Sequence, residues 1–221
     1  MKTIVYLMVT VCFLFVSVNA GYSQGAVSGA KIKLPEPKYD GNVSVEKALK
    51  ERRSVRVYKD APLTMAEVSQ ILFAAQGVTE PGRGLRTAPS ARAQYFLTVY
   101  LFAGNVTGLK PGMYRYVPAG HALAVVAEGD IKGRLYKAAG QSPIQKAPAV
   151  LLIAGAQDKA AANTNWMYFE AGHAAQNVYL QGVSLGLGTV VMAGFDAEAV
   201  GKAVSMPANE KTLYIMPVGK K

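Results

Sequence analysis

The chain has 221 residues, of which 51% are hydrophobic and 17% charged, and a formal net charge of +10. This composition excludes intrinsic disorder, and the length suits one domain with a full core. The basic residues gather in knots at 52–56, 83–92 and Lys220–Lys221 rather than in one run. They lack the aromatic interleaving of a single-strand binder, which argues against nucleic acid as a partner.

The first twenty residues read as a secretory signal peptide. Lys2 supplies the positive start, Ile4 to Val18 is almost wholly apolar, and "VNA" ends at Ala20 with small residues at the cleavage positions. The apolar run is shorter than the roughly 20 residues of a spanning helix. An uncleaved N-terminal anchor is the competing reading. The single cysteine, Cys12, lies inside this run, so residues 21–221 offer no disulfide, thiolate nucleophile or thiolate metal ligand. That suits an oxidising, exported location, periplasmic or secreted.

Residues 21–42 are rich in Gly, Ser, Pro and Lys and read as a linker or arm, leaving 43–221 as the folded domain. "SVEKALKERR" (44–53) is a short helix that Asn42 or Ser44 can cap. It runs into "ERRSVRVY", where Arg52, Arg53, Ser54 and Arg56 crowd together. If this stretch is extended, alternation sends Arg52, Ser54 and Arg56 to one side and Arg53, Val55 and Val57 to the other. Guanidinium groups and a hydroxyl on one side suit a phosphate. The alternative is a helix end whose arginines answer the helix dipole.

"APLTMAEVSQILFAAQGV" (61–78) is an amphipathic helix with a Thr64–Glu67 capping box, stopped at Gly77. A loop with three arginines follows, and then "QYFLTVYLF" (94–102) reads as a buried strand. Two short strands occupy "GLKPGMYRYV" and "HALAVVA". A short helix follows in "GDIKGRLYKAA", and a second buried strand in "APAVLLIAGA". A long helix runs from about Asn165 to Leu185. "GTVVMAGFD" is a strand with a turn, "DAEAVGKAV" a short helix and "KTLYIMPVG" a last strand. Strands interleaved with helices give an α+β or mixed α/β domain.

Residue chemistry alone leaves few catalytic candidates. His121 has no partner at metal spacing. His173 follows Glu170 by three on the long helix, but a Glu-x-x-His metal site needs a second such set, so His173 reads as a packing or hydrogen-bonding residue. No Gly-x-Ser-x-Gly occurs, and "GLGT" ends a helix rather than opening one.

Four segments in order, "RRSVRVYKDAPLTMAEVSQILFAAQGVT", "TAPSARAQYFLTVYLF" with "GLKPGMYRYVP", "AGHAAQNVYLQGVSLGLGTVVMAGFD" and "YIMPVG", resemble the FMN-dependent nitroreductase superfamily, and the second its SagB-type dehydrogenase branch. The likeness covers about residues 44–219. It implies an α+β sandwich with a central mixed or antiparallel sheet flanked by helices, in an intertwined homodimer with FMN at the subunit interface. It further implies an oxidoreductase passing hydride or electrons through flavin N5, with a small-molecule or peptide-derived substrate and no catalytic side chain of its own. By the same resemblance, Arg52, Arg53, Ser54 and Arg56 hold the FMN phosphate, ribityl chain and pyrimidine edge. Pro89, Ser90 and Ala91 approach the flavin from the partner subunit. Ala193 and Gly194 present backbone to N5, Gly188 shapes the turn before them, and Lys220 reaches the phosphate. The chain departs from many relatives in carrying Ala193 in place of a glutamate, "SARAQ" in place of an asparagine-containing loop, and a stop at Lys221. These departures imply a lighter phosphate grip and leave the electron donor open. They also support an alternative: a secreted basic module of the same fold that binds flavin or polyanions without turnover.

Overall fold

Two strands buried on both faces set the architecture. In the computed structural model, which describes residues 31–221, these are β4 (Leu97–Ala103) and β7 (Ala149–Ala156), paired antiparallel. In β4, Val99 and Leu101 join one core while Tyr100 and Phe102 join the other; in β7, Leu151 and Ile153 alternate likewise with Val150 and Leu152. A side-chain period of two with both faces covered is why these stretches read as unbroken apolar runs.

Around this pair lies a seven-stranded sheet in the order β1-β6-β5-β4-β7-β9-β8. Its other strands are β1 (Lys31–Lys33), β5 (Gly112–Val117), β6 (Ala122–Glu128), β8 (Leu187–Thr189) and β9 (Glu210–Lys220). Every neighbouring pair is antiparallel, which resolves the expectation of a mixed or antiparallel sheet. A small ribbon pairs β2 (Val78–Glu80) with β3 (Leu85–Arg86). Helices α2 (Met65–Gln76) and α5 (Asn165–Ser184) cover one face of the large sheet. Helices α3 (Ile131–Ala139), α4 (Ser142–Lys146) and α6 (Ala197–Ala203) cover the other. Helix α1 (Val45–Glu51) packs beside α5. The α+β sandwich expected from the sequence is the fold observed.

Local chemistry explains the element ends. The Thr64–Glu67 capping box is present in both directions. Ser44 caps α1 by accepting from Lys47 N at 3.2 Å. Gly77 does end α2, but with φ −61° it adopts no left-handed turn. A Cβ there would lie 2.1 Å from the Phe73 ring, so close approach selects the glycine.

Several elements were not foreseen, among them the β2–β3 ribbon, which lies in the stretch read as a loop. Helix α4 is one turn long with Pro143 in its first turn. Strand β1 lies in the stretch read as a linker or arm: Lys31–Lys33 pair with Ala122–Ala124, and Leu34 is buried just after. The arm is tied down further. Gln70 mimics a neighbouring strand, donating to Lys38 O at 2.9 Å and accepting from Lys38 N at 2.8 Å. The apolar run Ile4–Val18 and Cys12, read as part of an export signal, lie outside the described residues.

His121 fastens the same arm. Its Nδ1 lies 2.8 Å from the Tyr116 hydroxyl, and its Nε2 lies 2.6 Å from Ser69 Oγ and 3.0 Å from Pro35 O. Ser69 Oγ donates to Pro35 O, so a proton on Nε2 and an Nδ1 that accepts from Tyr116 satisfies every partner. Burial holds the His121 pKa below its usual value, against the Pro35 bond and Glu36, which raise it.

Two predictions follow from this packing. Gly188→Ala brings a Cβ within 2.6 Å of Val55 Cγ1 and is expected to cost ~1–3 kcal/mol, measured by urea unfolding. For His121, the unfolded chain binds a proton more readily than the folded one. The stability it contributes is therefore present above about pH 6.5 and lost as pH falls towards the lower folded value. Between pH 7.5 and pH 5, conditions set by that range, the wild type is expected to lose more of its urea midpoint than His121→Asn. Asparagine is chosen because it tolerates the left-handed φ of 42° at this position.

Candidate functional site

The arginine segment is laid across the end of the β8–β9 ladder. Val55 N donates to Thr189 O at 2.8 Å, and Lys59 N donates to Lys220 O at 2.9 Å. Beneath it, Gly188 of β8 and Gly219 of β9 face each other in register. Val55 sits on Gly188 and Tyr58 sits on Gly219, where a Cβ would lie 2.8 Å from the tyrosine Cβ. Gly188 therefore serves the seat of this segment and does not shape a turn.

Above the seat the polar side chains converge on Tyr179 of α5. Its hydroxyl accepts from Val191 N at 2.8 Å, which leaves its own proton for Ser54 Oγ at 3.1 Å. The Arg52 guanidinium stacks over the Tyr179 ring, 5.0 Å from its centre. Arg52 and Ser54 thus share one side, as alternation required, and Arg56 is exposed two residues on.

Val55 takes the opposite side, on Gly188, but alternation fails for Arg53 and Val57. Arg53 folds back to donate to Lys50 O at 2.9 Å and Arg52 O at 2.7 Å, so it caps the α1 C-terminus and answers the helix dipole. Val57 is 75% exposed, because the second inward anchor is Tyr58, whose hydroxyl donates to Val55 O at 2.8 Å.

Lys220 is engaged elsewhere. Its ammonium pairs with Glu67 Oε1, while Glu67 Oε2 serves the capping box. Burial pushes the Glu67 carboxyl up, but the bonds from Lys220 and Thr64 outweigh it and hold its pKa below the usual value. The cation that shares a cavity with the arginine segment is Lys221. With Arg53, Tyr179 and Thr189 it lines a cavity of about 190 Å³. Thr189 Oγ1 is the one buried side-chain polar atom among the described residues without a hydrogen-bond partner. A wider cleft of about 730 Å³ lies between the arm, α1, α2 and α5, and it is lined by none of the cofactor-binding candidates read from the sequence.

Pro89, Ser90 and Ala91 lie at the other half of α5. Ser90 Oγ donates to Glu170 Oε2 at 2.6 Å, and the His173 ring lies 3.3 Å from Pro89 O. Glu170 and Tyr179 are nine residues apart on the helix, about 14 Å at its normal rise. One chain therefore does not bring this loop to the arginine segment. Ala193 and Gly194 form a third group: both are exposed, and Gly194 O accepts from Gln141 Nε2 at 3.0 Å.

Sequence reasoning missed Tyr179, Thr189 and Gln141. None stands in a motif, and each is recognisable only by what packs against it. Glu170 was seen only as half of an incomplete metal pair. Among the described residues no group of three or more metal-ligating side chains occurs.

Tyr179→Phe removes the acceptor of Val191 N and the partner of Ser54. It is expected to cost ~1–2 kcal/mol in urea unfolding, the effect of leaving a partly buried donor unmade.

The model of the family described as the nitroreductase family matches residues 49–220. A Methanocaldococcus jannaschii protein designated "putative nitroreductase" is 39% identical over 197 residues, covering 86% of this chain and 96% of its own. Two proteins with the same designation have similar solved structures. That of Ralstonia eutropha is 28% identical with a TM-score of 0.75, over 88% of this chain and 91% of its own. That of Desulfovibrio desulfuricans, solved in complex with FMN, is 19% identical with a TM-score of 0.60, over 79% and 84%, and shows a shared fold. With the family matched over most of its length and a relative at this identity, the chain belongs to the nitroreductase family.

Proposed function

We propose that the protein is an FMN-dependent oxidoreductase that acts as a homodimer on a small or peptide-derived substrate. The observation that carries this reading is the convergence of Arg52, Ser54 and Tyr179 beside the unpartnered Thr189 hydroxyl. Two cations, Arg52 and Arg56, and the Ser54 hydroxyl on a segment fixed at both ends, with the Thr189 hydroxyl beside it on β8, match the donor set a phosphate monoester needs. The solved relative in complex with FMN supports the choice of ligand.

FMN, when bound, would supply two-electron hydride-transfer chemistry that no side chain of the protein offers. The chain's own residues hold and tune. Arg52, Ser54 and Thr189 bind the phosphate end. Arg56 adds positive charge that favours a reduced, anionic flavin over the oxidised one. Arg53, with its guanidinium on the α1 carbonyls, fixes the helix end that delivers the segment and does not bind the ligand directly. Ala193 and Gly194 present backbone groups, with the Gly194 carbonyl steadied by Gln141. Lys220 secures the end of β9 through Glu67 and leaves Lys221 as the terminal cation facing the cavity.

The SagB-type assignment rests on the likeness of "TAPSARAQYFLTVYLF" and "GLKPGMYRYVP", and the homodimer on the family resemblance. The separation of Pro89–Ala91 from the arginine segment within one chain supports a site completed by a second copy. Export rests on Lys2, Ile4–Val18 and the small residues ending at Ala20.

The full chain, purified after FMN supplementation, is expected to be yellow and to bleach with dithionite. Arg52→Ala is expected to weaken FMN binding ~10–100-fold, the loss of one charge-assisted contact, read by quenching of flavin fluorescence. A colourless dimer that quenches no flavin fluorescence overturns the assignment.

A further inference from the structure

The loop that carries Pro89, Ser90 and Ala91 is the most distorted stretch of the described chain. Arg92, Ala93 and Tyr95 adopt left-handed backbone with φ of 55°, 53° and 51°, and none is glycine. Such conformations persist only where surrounding contacts over-determine them. Here one buried carboxyl group supplies a contact at each end of the run. Glu170 is 1% exposed, and its Oε2 accepts from Ser90 Oγ at 2.6 Å and Phe96 N at 3.1 Å, one donor on each side of the strained run. Ser90 Oγ in turn accepts from Tyr95 N at 2.9 Å. Glu170 Oε1 accepts from Gln76 Nε2 at 3.0 Å, and Gln76 Oε1 accepts from Arg86 at 2.9 Å. Arg86 then stacks on Tyr95, 4.5 Å from the ring centre, which closes the network on the loop again.

The core has no need of a polar group at this position. The neighbouring inward positions on α5 are Met167, Ala171 and Ala174, all buried and apolar. All three donors that reach Glu170 come from outside its own helix, and two of them belong to the loop and its exit into β4.

We propose that Glu170 is a positioning residue for the flavin site: it sets the conformation of residues 89–95 so that the Pro89–Ala91 backbone meets the cofactor. This rests on the FMN reading above. Ser90 then acts through its backbone and not its hydroxyl, since the hydroxyl is already engaged by Glu170 and Tyr95 N.

The test compares Glu170→Gln and the milder Ser90→Ala with Glu210→Gln in the full-length protein. Glu210 is the control: a partly buried carboxyl that accepts from Thr98 Oγ1 at 2.9 Å and Tyr100 OH at 2.8 Å, both within β4, and from no side chain or amide of residues 90–96. Amide hydrogen exchange without ligand is expected to rise about 10-fold or more across residues 90–96 in both loop variants and to stay level in Glu210→Gln. FMN titration is expected to show ~10-fold weaker binding in the loop variants and wild-type affinity in the control. In the FMN-loaded proteins, the visible circular dichroism of the flavin is expected to change only in the loop variants. Unchanged exchange across 90–96 overturns the proposal. So does faster exchange with unaltered FMN affinity and dichroism, which reduces Glu170 to a structural residue and leaves the FMN reading intact. A wild-type chain that binds no FMN overturns both readings, and the exchange result still reports whether Glu170 holds the loop.

Discussion

A pair of glycines facing each other across the β8–β9 ladder holds the site in place. Gly188 and Gly219 present bare backbone where two side chains would otherwise stand, and Val55 and Tyr58 occupy that space. Backbone bonds at Thr189 and Lys220 fix the two ends of the segment between them. The arginines are thus carried on a span that cannot slide, because movement along the ladder drives a branched side chain or an aromatic ring against the next Cβ. Preorganisation of this kind lowers the ordering cost of binding a charged ligand.

Helix α5 is the second organiser. Most of its buried face is apolar, and among the polar groups that interrupt it Glu170 and Tyr179 stand at opposite halves. Glu170 gathers the strained loop before β4, and Tyr179 gathers the arginine segment and the chain leaving β8. One rigid element therefore sets the spacing of two segments that are remote from each other in sequence. A helix suits this task because its rise is fixed, whereas loops tied only to one another would drift.

Much of the architecture was legible in the residues. The two doubly buried strands, the capped helix α2 and the long helix α5 all carry patterns strong enough to read alone. β1 and α4 were not readable. Three residues that alternate polar and apolar, or one turn begun at a proline, hold too few repeats for periodicity to register, and both exist because a neighbour supplies their partners. In the site, Arg52 and Ser54 fell on the expected side. Arg53 did not, because the free carbonyls of the α1 C-terminus compete for its guanidinium. Lys220 did not, because the capping box leaves one oxygen of Glu67 unused beside it.

The sequence by itself determined most of the elements, their order and a candidate anion-binding segment, since each of these follows from local pattern: apolar period, caps, and a run of cations with a hydroxyl. Only the tertiary structure decided which cations remain available to a ligand, why Gly77, Gly188 and Gly219 are glycines, and what the buried glutamate of α5 holds. These depend on which atoms meet across long stretches of chain, such as Tyr58 on Gly219 or Glu170 on Ser90, and no local pattern records a contact made at that distance.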